Sequence, residues 1–295
     1  MHGAYALPYQ RLGRQNRHFH KLSSFQRKVP VKILNKKVDL DRFWKDLSCS
    51  DSSILFLDYD GTLAPFTVER DEALPYPWVP GLLNEIIKKT ISRLVIISGR
   101  DVTVVQKLLH MDNPVEIWGC HGRQHLFQNG EMESEILPRA DRKVLSNAHE
   151  WIEDHGLSDN MEEKSGCIAL HFRGMKASRA GPLEKQASRA FEAMLPGSGM
   201  ALEKFDGGIE IRSSNTDKGK AVEKVLSEYE AVPPCAYLGD DLTDEDAFKA
   251  IKGKGLGILV REDFRPTMAD VWIKPPEELK MFLTQWRDNA RRKRQ

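Results

Sequence analysis

Leu57-Asp58-Tyr59-Asp60-Gly61-Thr62-Leu63 follows without a break on Ile54-Leu55-Phe56. A short apolar run of this length reads as a strand buried in a sheet. The string then sets two carboxylates just beyond the carboxyl end of that strand, followed by a glycine and a hydroxyl. Ligands of open α/β sheets bind at such strand ends. A single aspartate before glycine is commonly no more than an acidic turn closing a strand, but the paired aspartates with Gly61 and Thr62 call for more than that.

Outward from this stretch, further short apolar runs occur at Leu94-Val95-Ile96-Ile97, Val115-Glu116-Ile117-Trp118, Ala236-Tyr237-Leu238 and Leu256-Gly257-Ile258-Leu259-Val260. Helical patterns fit between them over about 81–90, 101–110, 217–229 and 242–251, with Asp101, Asp217 and Thr243 near the helix starts. Strand and helix in alternation are the signature of an α/β fold on a parallel sheet. The middle of the chain differs: a hairpin is expected around Asn129-Gly130, amphipathic helices near 141–155 and 177–194, and strands near 167–173 and 208–212. We read it as an α+β insertion over 125–207. No internal repeat or low-complexity block is present.

Three more stretches carry chemistry. Ser98-Gly99-Arg100 ends the second apolar run, where a hydroxyl and an open backbone could approach a phosphoryl oxygen, although the same tripeptide also suits a helix cap. Asp217-Lys218-Gly219-Lys220 places an ammonium at a helix start, whose N–H groups favour anions, while lysines more often belong to solvated faces. Leu238-Gly239-Asp240-Asp241-Leu242-Thr243-Asp244-Glu245 crowds carboxylates beyond another strand. Either solvent or a cation must relieve their repulsion, and oxygen ligands suit magnesium.

Composition narrows the rest. With 44 Lys and Arg against 43 Asp and Glu the formal net charge is +1, which gives no electrostatic reason to expect nucleic acid or a membrane surface as partner. No run approaches the roughly 18 apolar residues of a membrane span. Cys49, Cys120, Cys167 and Cys235 are scattered without a CxxC pair, so reduced thiols and a cytoplasmic location are expected. Residues 1–37 carry nine basic and no acidic side chains. The stretch superficially resembles a transit peptide but lacks a sustained apolar face, so a flexible leader is expected. The tail, 288–295, with Arg291-Arg292-Lys293-Arg294, reads as a solvated helix end.

Taken in order, the four motif stretches resemble those of the haloacid dehalogenase superfamily of phosphotransferases. The resemblance implies a Rossmann-like parallel-sheet core over 38–124 and 208–287, with 125–207 as an inserted α+β cap that sets substrate specificity. It extends to the trehalose-6-phosphate phosphatase family, through Leu57 to Phe66, His121-Gly122, Glu163-Lys164 followed by His171-Phe172-Arg173, and Glu210-Ile211-Arg212. One departure is visible: that family usually continues the last motif with proline, where this chain has Ser213-Ser214-Asn215.

By this resemblance Asp58 is the nucleophile that forms an aspartyl phosphate, and Asp60 is first general acid and then general base. Mg2+ is implied as cofactor, held by Asp58, Asp60 and Asp240, with Asp241 and Asp244 around its water shell. Thr62, Ser98, Gly99 and Lys218 would bind the phosphate, with Lys218 also offsetting charge in the transition state. The sugar would meet Arg100, His121, Arg123, Glu163, Lys164, Arg173 and Glu210. His171, in an alternating strand-like run, could equally be a packed histidine. The implied substrate is trehalose 6-phosphate and the implied partner class a trehalose-phosphate synthase. The competing readings are a phosphatase of another glycosyl phosphate (of glucosylglycerol, mannosylglycerate or sucrose) and a catalytically silent sugar-phosphate sensor.

Overall fold

The computed structural model describes residues 31–67, 72–205 and 207–291. Most of the basic leader and the last four residues of the tail lie outside them. Of the expected leader, Lys32–Ile33 forms an edge strand, β1. Helix α1 (Leu40–Cys49) leads into β2 (Ser53–Leu57), α2 (Val79–Lys89), β3 (Ser92–Ile97), α3 (Val102–Leu109) and β4 (Glu116–Gly119). The hairpin β5 (Gln124–Leu126) and β6 (Met132–Ser134) precedes α4 (Arg139–Asp154), β7 (Met161–Lys164), β8 (Cys167–His171), α5 (Ala177–Met194), β9 (Met200–Phe205) and β10 (Gly208–Ser213). The chain closes with α6 (Lys218–Leu226), β11 (Cys235–Gly239), α7 (Glu245–Ile251), β12 (Leu256–Val260), β13 (Val271–Ile273) and α8 (Glu277–Asn289).

Among the described residues nine strands make one sheet in the order β1-β13-β12-β11-β2-β3-β4-β5-β6. From β13 to β4 every pairing is parallel. All five residues of β2 are buried, because helices cover both faces of the sheet. Period-two alternation sorts its side chains: Leu55 and Leu57 join the core under α1, α2, α3 and α8, while Ile54 and Phe56 join the core under α6 and α7. Asp101 and Asp217 cap α3 and α6 as expected, accepting from the backbone N–H of Thr103 and Lys220. The helix expected from Thr243 begins instead at Glu245, after a tight turn over Leu242–Asp244.

A second sheet, β7-β8-β10-β9, is antiparallel throughout and packs one face on α4 and α5. Its core is separate and includes Ile168, Leu170, Ile209 and Ile211 from the strands with Ala148, Ile152 and Phe191 from the helices. Two boundaries differ from those expected. The hairpin around Asn129-Gly130 extends the nine-stranded sheet, because β5 pairs antiparallel with β4. Strand β10, expected with the parallel core, belongs to the second sheet: the connection from β9 is too short for a crossover, so the two strands pair antiparallel over six residues.

Candidate active site

The carboxyl ends of the parallel strands form the floor of a cleft. Asp58 and Asp60 lie just beyond β2, Gly99 and Arg100 beyond β3, Asp240 and Asp241 beyond β11, and Lys218 opens α6. Lys218 Nζ stands 2.7 Å from Asp58 Oδ1 and 2.8 Å from Asp244 Oδ1, and all three side chains are buried. Burial works to deprotonate Lys218, but Asp244 and Asp58 outweigh it and keep the ammonium charged. Gly61 is required here. Its φ is +72°, and a Cβ would lie 2.0 Å from Asp240 Oδ2.

Asp58, Asp240 and Asp244 each bring a carboxylate oxygen within 4.8 Å of the others. Asp240 Oδ1 is buried without a hydrogen-bond partner among the described residues. Burial first, then repulsion from Asp244, pushes the Asp58 carboxyl up to about 8 despite Lys218, and burial together with Asp58 raises Asp240 well above the usual carboxylate range. Clustered buried carboxylates with an unpartnered oxygen fit a hard divalent cation, which would reverse both shifts. Asp244 is not part of that open donor set. Its Oδ1 also accepts from the Tyr237 hydroxyl at 2.5 Å, and its Oδ2 accepts from the N–H groups of Asp240 and Asp241, both at 2.9 Å. It braces Lys218 and the acidic turn, where the sequence suggested a place around metal-bound water. Asp241 caps the same turn through Leu242 N–H.

Asp60 is clamped by Arg100, with Nε to Oδ2 at 2.7 Å and a terminal nitrogen to Oδ1 at 2.6 Å. This is the two-point geometry that suits guanidinium and carboxylate. Ser98 and Thr62 are fully buried and do not line the cleft: Ser98 Oγ accepts from Arg100 N–H at 3.1 Å inside the turn. Of the four residues expected on phosphate, Gly99 and Lys218 therefore face the open space. His121 sits on a turn where Cys120, His121 and Gly122 all have positive φ (49°, 55° and 102°). For the two non-glycine residues this conformation costs energy. Backbone bonds from Cys120 N–H to Arg100 O and from His121 N–H to Ser98 O hold the turn. It delivers His121 Nε2 to Glu210 Oε2 at 3.0 Å and so joins the two sheets.

The second sheet roofs the cleft with the face that α4 and α5 leave uncovered. Glu162, Lys164, His171, Glu203, Phe205 and Glu210 all line it. Lys164 Nζ lies 3.2 Å from Glu162 and 3.4 Å from Glu210, and Glu162 also meets His171 at 3.1 Å. Burial opposes ionisation of Glu210, but His121, Lys164 and Arg212 hold it well below the usual range. Arg173 reaches from the roof to the floor, its guanidinium 3.6 Å from the Phe66 ring centroid.

Two expected sugar contacts are not in the cleft. Glu163 alternates to the helix side of β7, where it is exposed and bonds His149 of α4 at 3.0 Å. Its neighbour Glu162 takes the site position. Strand periodicity carried the signal, since Glu163 and Lys164, adjacent in a strand, cannot share a face. Arg123 is buried beneath Gly166 and donates to the Glu135 carbonyl. Where proline was expected, Ser213 Oγ accepts from Asn215 N–H and Ser214 Oγ donates to Gly199 O, so hydrogen bonds shape the turn in place of a ring.

The cleft encloses about 740 Å³ of empty space counted out to its open mouth. It holds paired carboxylates, a buried ammonium and a cluster of acidic oxygens beneath a polar roof, on a parallel sheet with a second α+β layer. The fold is that of haloacid dehalogenase-like hydrolases. Solved structures share the architecture: a haloacid dehalogenase-like hydrolase from B. subtilis (TM-score 0.51, 13% identical, covering 70% of this chain and 88% of that one) and the C-terminal domain of C. albicans trehalose-6-phosphate phosphatase (TM-score 0.71, 20% identical, covering 88% and 99%). Residues 56–270 match the trehalose-phosphatase family model, and the chain belongs to that family. It is 30% identical over 251 residues to probable trehalose-phosphate phosphatase C of Arabidopsis thaliana, covering 78% of this chain. It spans between 64% and 75% of the length of that protein and two further plant relatives. Among the described residues no helix is long and apolar enough to cross a membrane.

Proposed function

We propose that this chain hydrolyses a glycosyl phosphate, trehalose 6-phosphate before others, through an aspartyl-phosphate intermediate on Asp58 and with Mg2+ as cofactor. The observation that carries the reading is Lys218 held between Asp58 and Asp244, with Asp60 on the same loop, under a roof of paired Glu and Lys side chains. An Asp58 carboxylate oxygen attacks phosphorus and the bond from phosphorus to the sugar oxygen breaks. Asp60 gives its proton to that leaving oxygen, then takes one from the water that attacks the acyl phosphate, which frees inorganic phosphate and regenerates Asp58. For this to happen, the Arg100 guanidinium must swing from Asp60 toward the incoming anion and Asp60 must take up a proton from solvent. Lys218 binds the phosphoryl oxygens and offsets their charge, aided by its brace on Asp244. Asp58, Asp240 and the Asp60 backbone carbonyl would hold Mg2+, which supplies charge neutralisation and alignment of the phosphoryl group when bound. Glu162, Lys164 and Glu210 present hydrogen-bonding groups to sugar hydroxyls, and closure of the roof excludes water.

The naming of family relatives as trehalose-phosphate phosphatases supports the choice of trehalose 6-phosphate, and four cysteines as reduced thiols suit a reducing, cytoplasmic setting. The presence together of Asp58, Asp60, Lys218 and Asp240 argues against a silent sensor. The test is phosphate release with Mg2+ across trehalose 6-phosphate, sucrose 6-phosphate, glucosylglycerol phosphate and mannosyl-3-phosphoglycerate, with Asp58→Asn as blank. A preference for trehalose 6-phosphate that the blank loses supports the reading. A preference for another ester replaces the substrate, and no release from folded protein favours the sensor.

A further inference from the structure

The site face of the second sheet is laid out in cross-strand rows. One row carries Glu162, Ala169, Glu210 and Glu203, and a second carries Lys164, Cys167, Arg212 and Ala201. The third row is of another kind: His171, Gly208 and Phe205 lie side by side across β8, β10 and β9. Gly208 keeps its centre empty, since a Cβ there would come within 2.2 Å of Phe205 Cζ. The Phe205 ring folds across that gap and meets His171 with centroids 5.0 Å apart at 60°. This row lies two residues, roughly 7 Å along the strands, beyond the glutamate row. At the mouth of the same cleft, Phe66 on the loop after Asp60 is 44% exposed.

The hydrolytic chemistry uses none of these rings. An aromatic face opening into a cleft of carboxylates and cations gains nothing from water, and charged ligands do not need it. A sugar ring does: its hydroxyls lie at the edge while its faces carry C–H bonds, which suit the negative face of an aromatic quadrupole. We propose that Phe205, with His171 beside it over Gly208, is a specificity-determining platform for the sugar ring that does not carry the phosphate. The cleft thereby selects two-ring sugar esters over one-ring esters: the glutamate row takes hydroxyls and the aromatic row takes a ring face. This rests on the reading of the cleft as a glycosyl-phosphate site.

The experiment compares kcat/KM for trehalose 6-phosphate and glucose 6-phosphate in the wild type, Phe205→Ala and Phe205→Tyr. The two-ring over one-ring preference is expected to fall about tenfold in Phe205→Ala, mostly through KM for the two-ring ester, and to return in Phe205→Tyr. A preference that survives in Phe205→Ala, or equal losses on both esters, overturns the platform while leaving the substrate reading intact. A wild type with no preference for two-ring esters overturns the substrate reading and the platform with it. Should Phe205→Ala not fold, saturation-transfer NMR on Asp58→Asn protein with trehalose 6-phosphate decides: transfer from aromatic protons to the unphosphorylated ring supports the platform, and its absence overturns it.

Discussion

Tyr237 donates its hydroxyl to Asp244 Oδ1 at 2.5 Å, onto the oxygen that also receives Lys218 at 2.8 Å. With the N–H groups of Asp240 and Asp241 on the other oxygen, four donors converge on one buried carboxylate. Asp244 thus sets the position of Lys218 from behind. Replacing Tyr237 by Phe removes one donor and is expected to lower stability by about 1–2 kcal/mol and kcat by roughly tenfold. Asp244→Asn is expected to lower kcat further, because its amide would present a donor toward Lys218. Thermal melts and kcat at saturating Mg2+ check both, and equal behaviour of the two variants would contradict the brace.

The Asp58 and Asp240 carboxyls, raised first by burial and then by the neighbouring carboxylates, predict a pocket that a bound cation would stabilise. Mg2+ at a hundred times its dissociation constant should stabilise the wild type by about 2.7 kcal/mol, read as a rise of several degrees in Tm. Asp240→Asn removes a buried charge. Its melting point in chelator should equal or exceed that of the wild type, and Mg2+ should no longer raise it. A lower Tm in chelator would count against the charge argument.

Glu162 and Glu163 are adjacent and face opposite ways. Glu162→Gln should raise KM for the preferred sugar ester by about tenfold, since it disrupts the contacts with Lys164 and His171 at the roof. Glu163→Gln, on the exposed side of β7, should leave kcat and KM within about twofold of the wild type. Steady-state kinetics of the pair tests the strand register directly, and the reverse pattern would place Glu163 in the site.

Glu116 gives a pH dependence remote from the cleft. Burial opposes its ionisation, but His125 and Arg93 hydrogen bonds bring the carboxyl down from 4.5 to about 2. Because the folded value is depressed, its contribution is present above the unfolded value near 4.5 and is lost as pH falls from there to about 2. The contribution is up to about 3 kcal/mol. Denaturant melts of wild type and Glu116→Gln should differ near neutrality and converge toward pH 2. A gap that stays constant with pH would assign the loss to packing instead.

The candidate catalytic aspartates were legible in the chain because each follows an apolar run at a strand end, so local pattern marks Asp58, Asp60 and Asp240, whereas Lys218 at its helix start stood out only through its order among the four motif stretches. The α/β class followed from the same alternation. The resemblance to known phosphatases, not spacing, supplied their expected roles. What pattern could not assign depended on partners distant in sequence. Whether Glu162 or Glu163 faces the site depends on how β7 registers against β8, and a shift of one residue exchanges them. The hairpin at Asn129-Gly130 and strand β10 were recognisable as elements, yet the sheet each joins was set by antiparallel pairing with β4 and β9. Asp244 looked like one acid among several until the fold brought Tyr237 and Lys218 onto a single oxygen. Sequence by itself determined which groups could ionise, attack and bind. Only tertiary packing decided which of them are buried together, and burial sets the strength of every charge and hydrogen bond in the cleft.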